Sequence, residues 1–165
     1  MSDSVSATPE YNELLDSIKR TLAAGRLRAA RAVNNVLTET YWEIGHDIIR
    51  RQQEQGWGAQ VIRRLSADLR TARPDMRGLS VRNLHYMAAL ASRWPTSIVQ
   101  QSAAQLPWGH IMVILDSCPD SETSEFYARR AVLEGWTRGA LQSMICQPTA
   151  RAGPARAHQL RPVAP

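Results

Sequence analysis

The chain has 165 residues, enough for one domain with a hydrophobic core, and its 44% hydrophobic content favours a folded protein over a disordered one. The formal net charge of +5 is carried almost entirely by arginine, since Lys19 is the single lysine, and it favours an acidic partner. Arginine matches phosphates and guanine edges, although a coding bias towards Arg and Ala would give the same composition. The isolated Cys118 and Cys146 argue against a disulfide framework or a zinc site.

The sequence contains no targeting or membrane-spanning segment. No apolar run is long enough to cross a bilayer, and the N-terminus lacks the basic and apolar regions of a signal peptide. We therefore expect a cytoplasmic, soluble protein with no membrane contact, no cofactor and no small-molecule substrate. Composition divides the chain into a disordered start (1–8), a helical domain (9–147) and a disordered tail (148–165) rich in Pro, Ala and Arg.

The first elements in chain order are two predicted helices. One runs from Pro9 to about Ala24, where Gly25 is expected to break or bend it, and a longer one runs from about Leu27 to Gln55. Gly45 costs the long helix up to about 1 kcal/mol relative to alanine, which close approach of a neighbouring helix would justify. The long helix also carries three acidic residues at four-residue spacing, which indicate a solvated face rather than a metal site: Glu39, Glu43 and Asp47.

Residues 56–94 form the stretch around which we interpret the rest of the chain. Two amphipathic helices are joined by a polar turn at residues 73–78, and Ser80 is placed to cap the second helix. Their buried positions are predicted to be Ile62, Leu65, Leu69, Ala72, Leu84, Met87, Ala88, Ala91 and Trp94. A helical hairpin whose second helix opens with Arg82 and Asn83 is the pattern of a helix-turn-helix DNA reader, and equally that of two helices in an ordinary bundle.

The outer face of this hairpin carries the candidate DNA-binding residues. They are Arg63, Arg64, Arg70, Arg77, Arg82, Asn83, Tyr86 and Arg93. We expect Arg82 and Asn83 to face outwards and to contact base edges, and the other arginines to contact phosphates.

Three further helices are predicted after the hairpin. The first begins near Trp108, and we expect its His110 to make a structural hydrogen bond rather than to act in catalysis. The next is capped by Ser121 or Thr123 and ends at Gly135. Its apolar repeat is Phe126, Tyr127, Ala131 and Leu133. A short last helix buries Leu141 and Ile145. Because no run with strand periodicity appears, the predicted fold is all-α.

No catalytic set is present in the sequence. There is no Walker loop and no GxSxG motif. Pro74-Asp75 resembles the start of a PD-(D/E)xK nuclease motif, which needs a later acidic residue and a lysine on a sheet to hold a metal. The single lysine precedes Pro74 and no sheet is predicted, so we reject a nuclease site here. We therefore predict that this chain is not an enzyme.

Five segments in order resemble the N-terminal domain of the YhcG-type proteins of bacteria. They are Tyr41-Trp42-Glu43-Ile44-Gly45, Leu65-Ser66-Ala67-Asp68-Leu69, Leu79-Ser80-Val81-Arg82-Asn83-Leu84, Gln105-Leu106-Pro107-Trp108-Gly109-His110 and Glu125-Phe126-Tyr127. The resemblance covers about residues 14–145, and Pro107 and Gly109 stand where the family usually has serine. It implies a helical domain that binds DNA in winged-helix or helix-turn-helix style, normally followed by a PD-(D/E)xK nuclease domain. On the basis of this resemblance we expect the chain to be a truncated, DNA-binding module without its nuclease domain.

The tail allows two interpretations. Residues 151–155 fit an RxGxA segment that follows the last helix in the family, whereas residues 157–165 do not fit what comes next. In the family, a Thr-Asn-Phe segment follows RxGxA. One of the possible sets of codons for residues 157–165 encodes Thr-Asn-Phe when its reading frame is shifted by one base. The tail is therefore either the frameshifted end of a longer nuclease gene or a natural disordered segment.

A second function class stays open beside DNA binding. The domain is alternatively a protein-interaction or self-association module, forming a homo-oligomer through the long helix. Binding to phosphates falls steeply with salt, whereas a hydrophobic protein interface is much less affected, so salt dependence separates the two functions.

Overall fold

The computed structural model describes residues 8–56, 58–98 and 101–147, without the side chain of Ala59. These residues form six α-helices, one 3-10 helix and no β-strand, which confirms the all-α prediction for the described part of the chain. The bounds are α1 Pro9–Gln55, α2 Ala59–Ala72, α3 Val81–Arg93, a 3-10 helix Ser102–Gln105, α4 Trp108–Ser117, α5 Ser121–Glu134 and α6 Arg138–Cys146. The predicted tail at 148–165 and residues 1–7 of the predicted start lie outside the described residues.

The chain divides into two compact units, residues 1–33 and 34–165. In the described part of the first unit, α1 runs from Pro9 through Gly25, so the predicted break at Gly25 is wrong. Alanine, leucine and arginine surround this glycine and are strong helix formers, and a single glycine costs only about 1 kcal/mol relative to alanine. Apart from Gly25 itself, every residue from 8 to 33 is exposed.

In the second unit, α1 buries one narrow face. Its buried residues are Thr38, Tyr41, Gly45 and Ile48, which follow helical spacing. A Cβ atom added to Gly45 would overlap the carbonyl group of Met87 and lie 2.9 Å from the backbone nitrogen of Ala88. The prediction that a neighbouring helix approaches Gly45 closely is therefore confirmed, and that helix is α3.

The core of the second unit is built mainly from α3, α4, α5 and α6. Its fully buried large side chains include Leu84, Met87, Leu90, Ile98, Ile111, Ile114 and Leu141. The predicted burial of Leu84 and Met87 is confirmed, and Leu65 and Leu69 pack against this core half-buried. The predicted burial of Ala72 is wrong, because this residue is exposed. Leu133, a member of the apolar repeat of α5, is 76% exposed.

Side-chain caps fix where three helices begin. The Ser80 hydroxyl accepts a hydrogen bond from the Asn83 amide at 3.3 Å, as predicted, and the Thr137 hydroxyl caps α6 in the same way. Helix α5 is capped by Asp120, whose carboxylate accepts from the Thr123 amide at 2.7 Å, rather than by Ser121 or Thr123. A carboxylate at this position also faces the positive end of the helix dipole.

Aromatic side chains join α1 to the other helices of the second unit. The Trp42 indole donates to the backbone oxygen of Trp94 at 2.7 Å, and the rings of Tyr41 and Trp108 meet edge to face at 4.7 Å. His110 Nε2 lies 2.9 Å from the backbone oxygen of Trp136, in agreement with the predicted structural role. None of the described helices is both long enough and apolar enough to cross a bilayer.

Candidate nucleic-acid interface

The predicted helical hairpin is present as α2 and α3, joined by residues 73–80. This eight-residue connection is longer than the turn of three or four residues that is typical of helix-turn-helix domains. It contains Pro74 and Gly78, and the φ of Gly78, +92°, lies in the region that other residues rarely adopt. The hairpin therefore presents a loop of its own beside α3.

The C-terminal end of this loop is held by two hydrogen bonds. The Ser66 hydroxyl donates to the Leu79 backbone oxygen at 2.8 Å, and the Asn83 side-chain amide donates to the Gly78 backbone oxygen at 3.2 Å. A Cβ atom at Gly78 would lie 2.7 Å from the hydroxyl oxygen of Tyr41, so space as well as backbone conformation requires glycine there. These hydrogen bonds fix Gly78 and Leu79 against α3 and α2.

An open cleft of about 760 Å³ lies between the end of α2, the loop and the start of α3. Its lining residues are Ala67, Arg70, Thr71, Arg73, Pro74, Met76, Arg77, Gly78, Leu79 and Ser80. Arg70, Arg73 and Arg77 are exposed, and none of their three guanidinium groups makes a hydrogen bond or ion pair with another described residue. No acidic side chain is among these lining residues, so the three guanidinium groups are available to an anion.

The first turn of α3 adds backbone donors at the edge of this cleft. Ser80 lines the cleft and caps the helix, while the amide groups of Val81 and Arg82 come before the first intrahelical hydrogen bond, which Leu84 donates to Ser80. Such amides and the helix dipole favour an anion near the N-terminus of a helix. The arginines and these amides together suit a phosphate group.

Arg82 and Tyr86 lie on the outer face of α3 and are linked to an acidic residue. Arg82 Nη2 donates to the Tyr86 hydroxyl at 3.3 Å, and that hydroxyl lies 2.8 Å from both carboxylate oxygens of Asp116 on α4. The hydrogen bond to Tyr86 is the main reason why the pKa of Arg82 lies above its ordinary value. Arg82 faces outwards as predicted, but a carboxylate stands close to it and Tyr86 is half-buried.

The predicted outward position of Asn83 is wrong. Asn83 is half-buried, its amide nitrogen is bonded to Gly78, and its Oδ1 accepts from the Trp108 indole at 3.5 Å. These bonds use both ends of the amide that a base edge would need. Asn83 therefore fixes the loop against α3 and α4.

The predicted outward position of Arg93 is also wrong. Arg93 is half-buried. Its Nη1 donates to the backbone oxygens of Cys118 at 2.8 Å and Asp120 at 2.9 Å, and to the Ser124 hydroxyl at 2.6 Å. The side chain joins the end of α3 to the start of α5. The Nη1 group of Arg93 is therefore bonded within the protein, and its predicted contact with a phosphate stays a prediction.

The remaining predicted residues lie along the exposed side of α2. Arg63 is exposed and precedes Ala67 and Arg70 at helical spacing, which places it on the face that borders the cleft. Arg64 is exposed and forms an ion pair with Asp68 at 3.7 Å. Arg70 and Arg77 thus line the cleft, and Arg63 lies on the same face of α2 as Arg70. Arg82 is bonded to Tyr86 on the outer face of α3.

Two residues of this region were absent from the predicted set. Arg73 lies in the predicted turn, and its position between Arg70 and Arg77 is the sequence signal that indicates it. Asp116 lies thirty residues after Tyr86, and nothing in the sequence indicates that the two side chains are in contact.

No group of His, Cys, Asp and Glu suited to a metal ion occurs within the described residues. On the predicted acidic face, Asp47 is exposed and pairs with Arg50 at 2.8 Å.

Comparison with known proteins agrees with the resemblance inferred from the motifs. Residues 17–149 match the family model described as DUF1016 N-terminal domain. A relative from Escherichia coli (strain K12), named "Putative nuclease YhcG", is 26% identical over an alignment 171 residues long, which covers 84% of this chain and 45% of the relative. The chain thus spans less than half the length of this relative, and no solved structure matches it. The chain belongs to the DUF1016 N-terminal domain family, the N-terminal domain of YhcG-type proteins.

Proposed function

We propose that this domain binds DNA by its phosphate backbone, through the cleft between α2, the 73–80 loop and α3. The single observation that carries this proposal is the set of three arginine side chains around a cleft without acidic lining residues, none of them paired with another residue of the described part of the chain. The family relation to a protein named as a nuclease supports a nucleic acid as the anionic partner. Cleavage would then belong to a different part of such a protein.

The proposed contact is to phosphates rather than to base edges. Arg70, Arg73 and Arg77 surround a recess, and the amides of the first turn of α3 add donors without any base preference. Of the two predicted base readers, Asn83 is committed to internal bonds and Arg82 is bonded to Tyr86 beside Asp116. We therefore expect weak sequence preference and strong salt dependence, with a dissociation constant on the order of 10⁻⁶ to 10⁻⁴ M at physiological salt.

Fluorescence anisotropy with a labelled random duplex, at two or more salt concentrations, tests the proposal. The double variant Arg73→Gln with Arg77→Gln should weaken binding equally for unrelated sequences. It should also lower the slope of log K against log salt by about 1 for each phosphate that the variant no longer neutralises.

A matched control is the double variant Arg129→Gln with Arg138→Gln. Both residues are exposed on α5 and α6, away from the cleft lining, and the loss of charge is the same. Equal weakening by the two double variants would show only a general effect of net charge and would overturn the assignment of the cleft. No binding by the unmodified protein at low salt would overturn DNA binding altogether.

A further inference from the structure

Residues 8–33 of α1 carry an apolar stripe that nothing in the described part of their unit covers. The stripe alternates four- and three-residue steps at Tyr11, Leu15, Ile18, Leu22, Gly25, Ala29 and Ala32. This alternation is the heptad pattern of a helix that packs along a second helix. Tyr11, Ile18 and Leu22 are 51%, 48% and 59% exposed, so three of the large side chains of the stripe lie in water.

Side-chain size changes along this stripe. Its first half holds the large residues, from Tyr11 to Leu22, and its second half holds only Gly25, Ala29 and Ala32. Two copies packed in parallel would place Gly25 opposite Gly25 and leave a gap, whereas protein cores are packed without voids. Two antiparallel copies would place Tyr11 and Leu15 opposite small residues and would bring large side chains together only at the centre of the stripe.

Charge changes along the same segment and in the same direction. Its acidic residues are Glu10, Glu13 and Asp16. Its basic residues are Lys19, Arg20, Arg26, Arg28 and Arg31, and no acidic residue lies between positions 17 and 33. Parallel copies would bring like charges together, whereas antiparallel copies bring the acidic start of each helix to the basic part of the other.

From these two gradients we infer that residues 8–33 pair antiparallel with the same segment of a second copy of this chain. In the register that matches size, Ile18 faces Leu22 of the second copy, Leu15 faces Gly25, and Tyr11 faces Ala29. The same register brings Glu10 near Arg31 and Glu13 near Arg26 and Arg28. This surface is separate from the DNA-binding cleft proposed above, and the inference does not depend on DNA binding.

Sedimentation analysis of the full chain over a range of concentrations tests the pairing. We expect a reversible dimer, and Ile18→Asp should raise its dissociation constant by about 100-fold or more, because an unpaired carboxylate would be buried in the seam. The matched control is Leu133→Asp, since Leu133 is 76% exposed on α5 and should leave the dimer unchanged. A monomer at every concentration would overturn the inference. That result would mean that the stripe is covered by other residues of the chain or by a different protein. A dimer that tolerates Ile18→Asp would also overturn it.

Distances between spin labels test the antiparallel orientation. The label is attached to Asn12→Cys in one variant and to Ser17→Cys in another, and both variants carry Cys146→Ser to remove the exposed native thiol. Cys118 resists labelling because it is buried and the pKa of its thiol is raised to about 11. In the proposed register the two labels are offset along the helix axis by about 24 Å at position 12 and about 9 Å at position 17. A longer distance for Asn12→Cys than for Ser17→Cys supports the antiparallel pair, and similar short distances at both positions would overturn it.

Discussion

The two parts of α1 look alike in sequence and differ in what surrounds them. Residues 9–33 carry apolar residues at helical spacing, and all of the large ones are exposed. Residues 34–55 carry a similar pattern, and there Tyr41 and Ile48 are 5% exposed. The buried face includes Gly45, against which the backbone of α3 packs. Periodicity therefore predicts which side of a helix is apolar, but it does not say which neighbour, if any, covers that side.

The strongest test of this difference compares the two glycines of α1. Gly45→Ala should lower the free energy of unfolding by about 3 kcal/mol or more, because the new Cβ overlaps backbone of α3 that cannot move aside by a rotamer change. Gly25→Ala should leave stability unchanged or raise it by up to about 1 kcal/mol, since nothing lies within 4 Å of the added atom. Urea unfolding of both variants checks this, and equal effects would contradict the close approach at Gly45.

A second comparison uses leucines from the two units. Leu84 is fully buried, so Leu84→Ala should cost about 3 kcal/mol of unfolding free energy. Leu14 is 58% exposed, and Leu14→Ala should change stability by less than about 0.5 kcal/mol. Thermal melts at low protein concentration give both values. A loss of stability in Leu14→Ala as large as that in Leu84→Ala would show that the first unit has a covered face of its own.

A smaller effect is expected at alkaline pH. Burial raises the pKa of the Cys118 thiol from 9.0 to about 11, and the nearby Arg93 guanidinium lowers it only in part. Between these values the unfolded chain loses the proton while the folded protein keeps it, so stability is complete below about pH 9 and falls as the pH rises towards 11. The slope is at most about 1.4 kcal/mol per pH unit. Cys118→Ala should lack this contribution when the free energy of unfolding is measured between pH 8 and pH 11. The same dependence on pH in the variant and in the unmodified protein would contradict the prediction.

Among the elements, the hairpin and its caps were the most predictable from the sequence. Apolar spacing predicted Leu84 and Met87 in the core, and Ser80 was recognised as a cap because a serine before a periodic segment satisfies a free helix amide. The break at Gly25 was wrong because strong helix formers on both sides outweigh one glycine. The motifs in chain order predicted the family, which the comparisons confirm.

The candidate site was predictable only in part. Arg63 and Arg70 follow from their positions off the apolar stripe of α2, and Arg77 follows from its position in the polar turn. In the structure Arg70 and Arg77 line one cleft. Asn83 and Arg93 have the same appearance in sequence, yet both are half-buried and hydrogen-bonded within the protein. A polar side chain off the apolar stripe can face water or an internal acceptor, and the choice depends on residues that arrive from elsewhere in the chain.

The sequence by itself determined the helices, most of their ends, the arginine-based charge and the apolar faces, because each depends on residues a few positions apart. Only the tertiary structure decided which polar groups stay available. It brought Trp108 to Asn83, Cys118 and Ser124 to Arg93, and Asp116 to Tyr86 across 25 to 31 positions of sequence. The spacing of residues along the chain cannot encode such long-range contacts, because a buried donor bonds to the acceptor that the packing of distant helices places beside it.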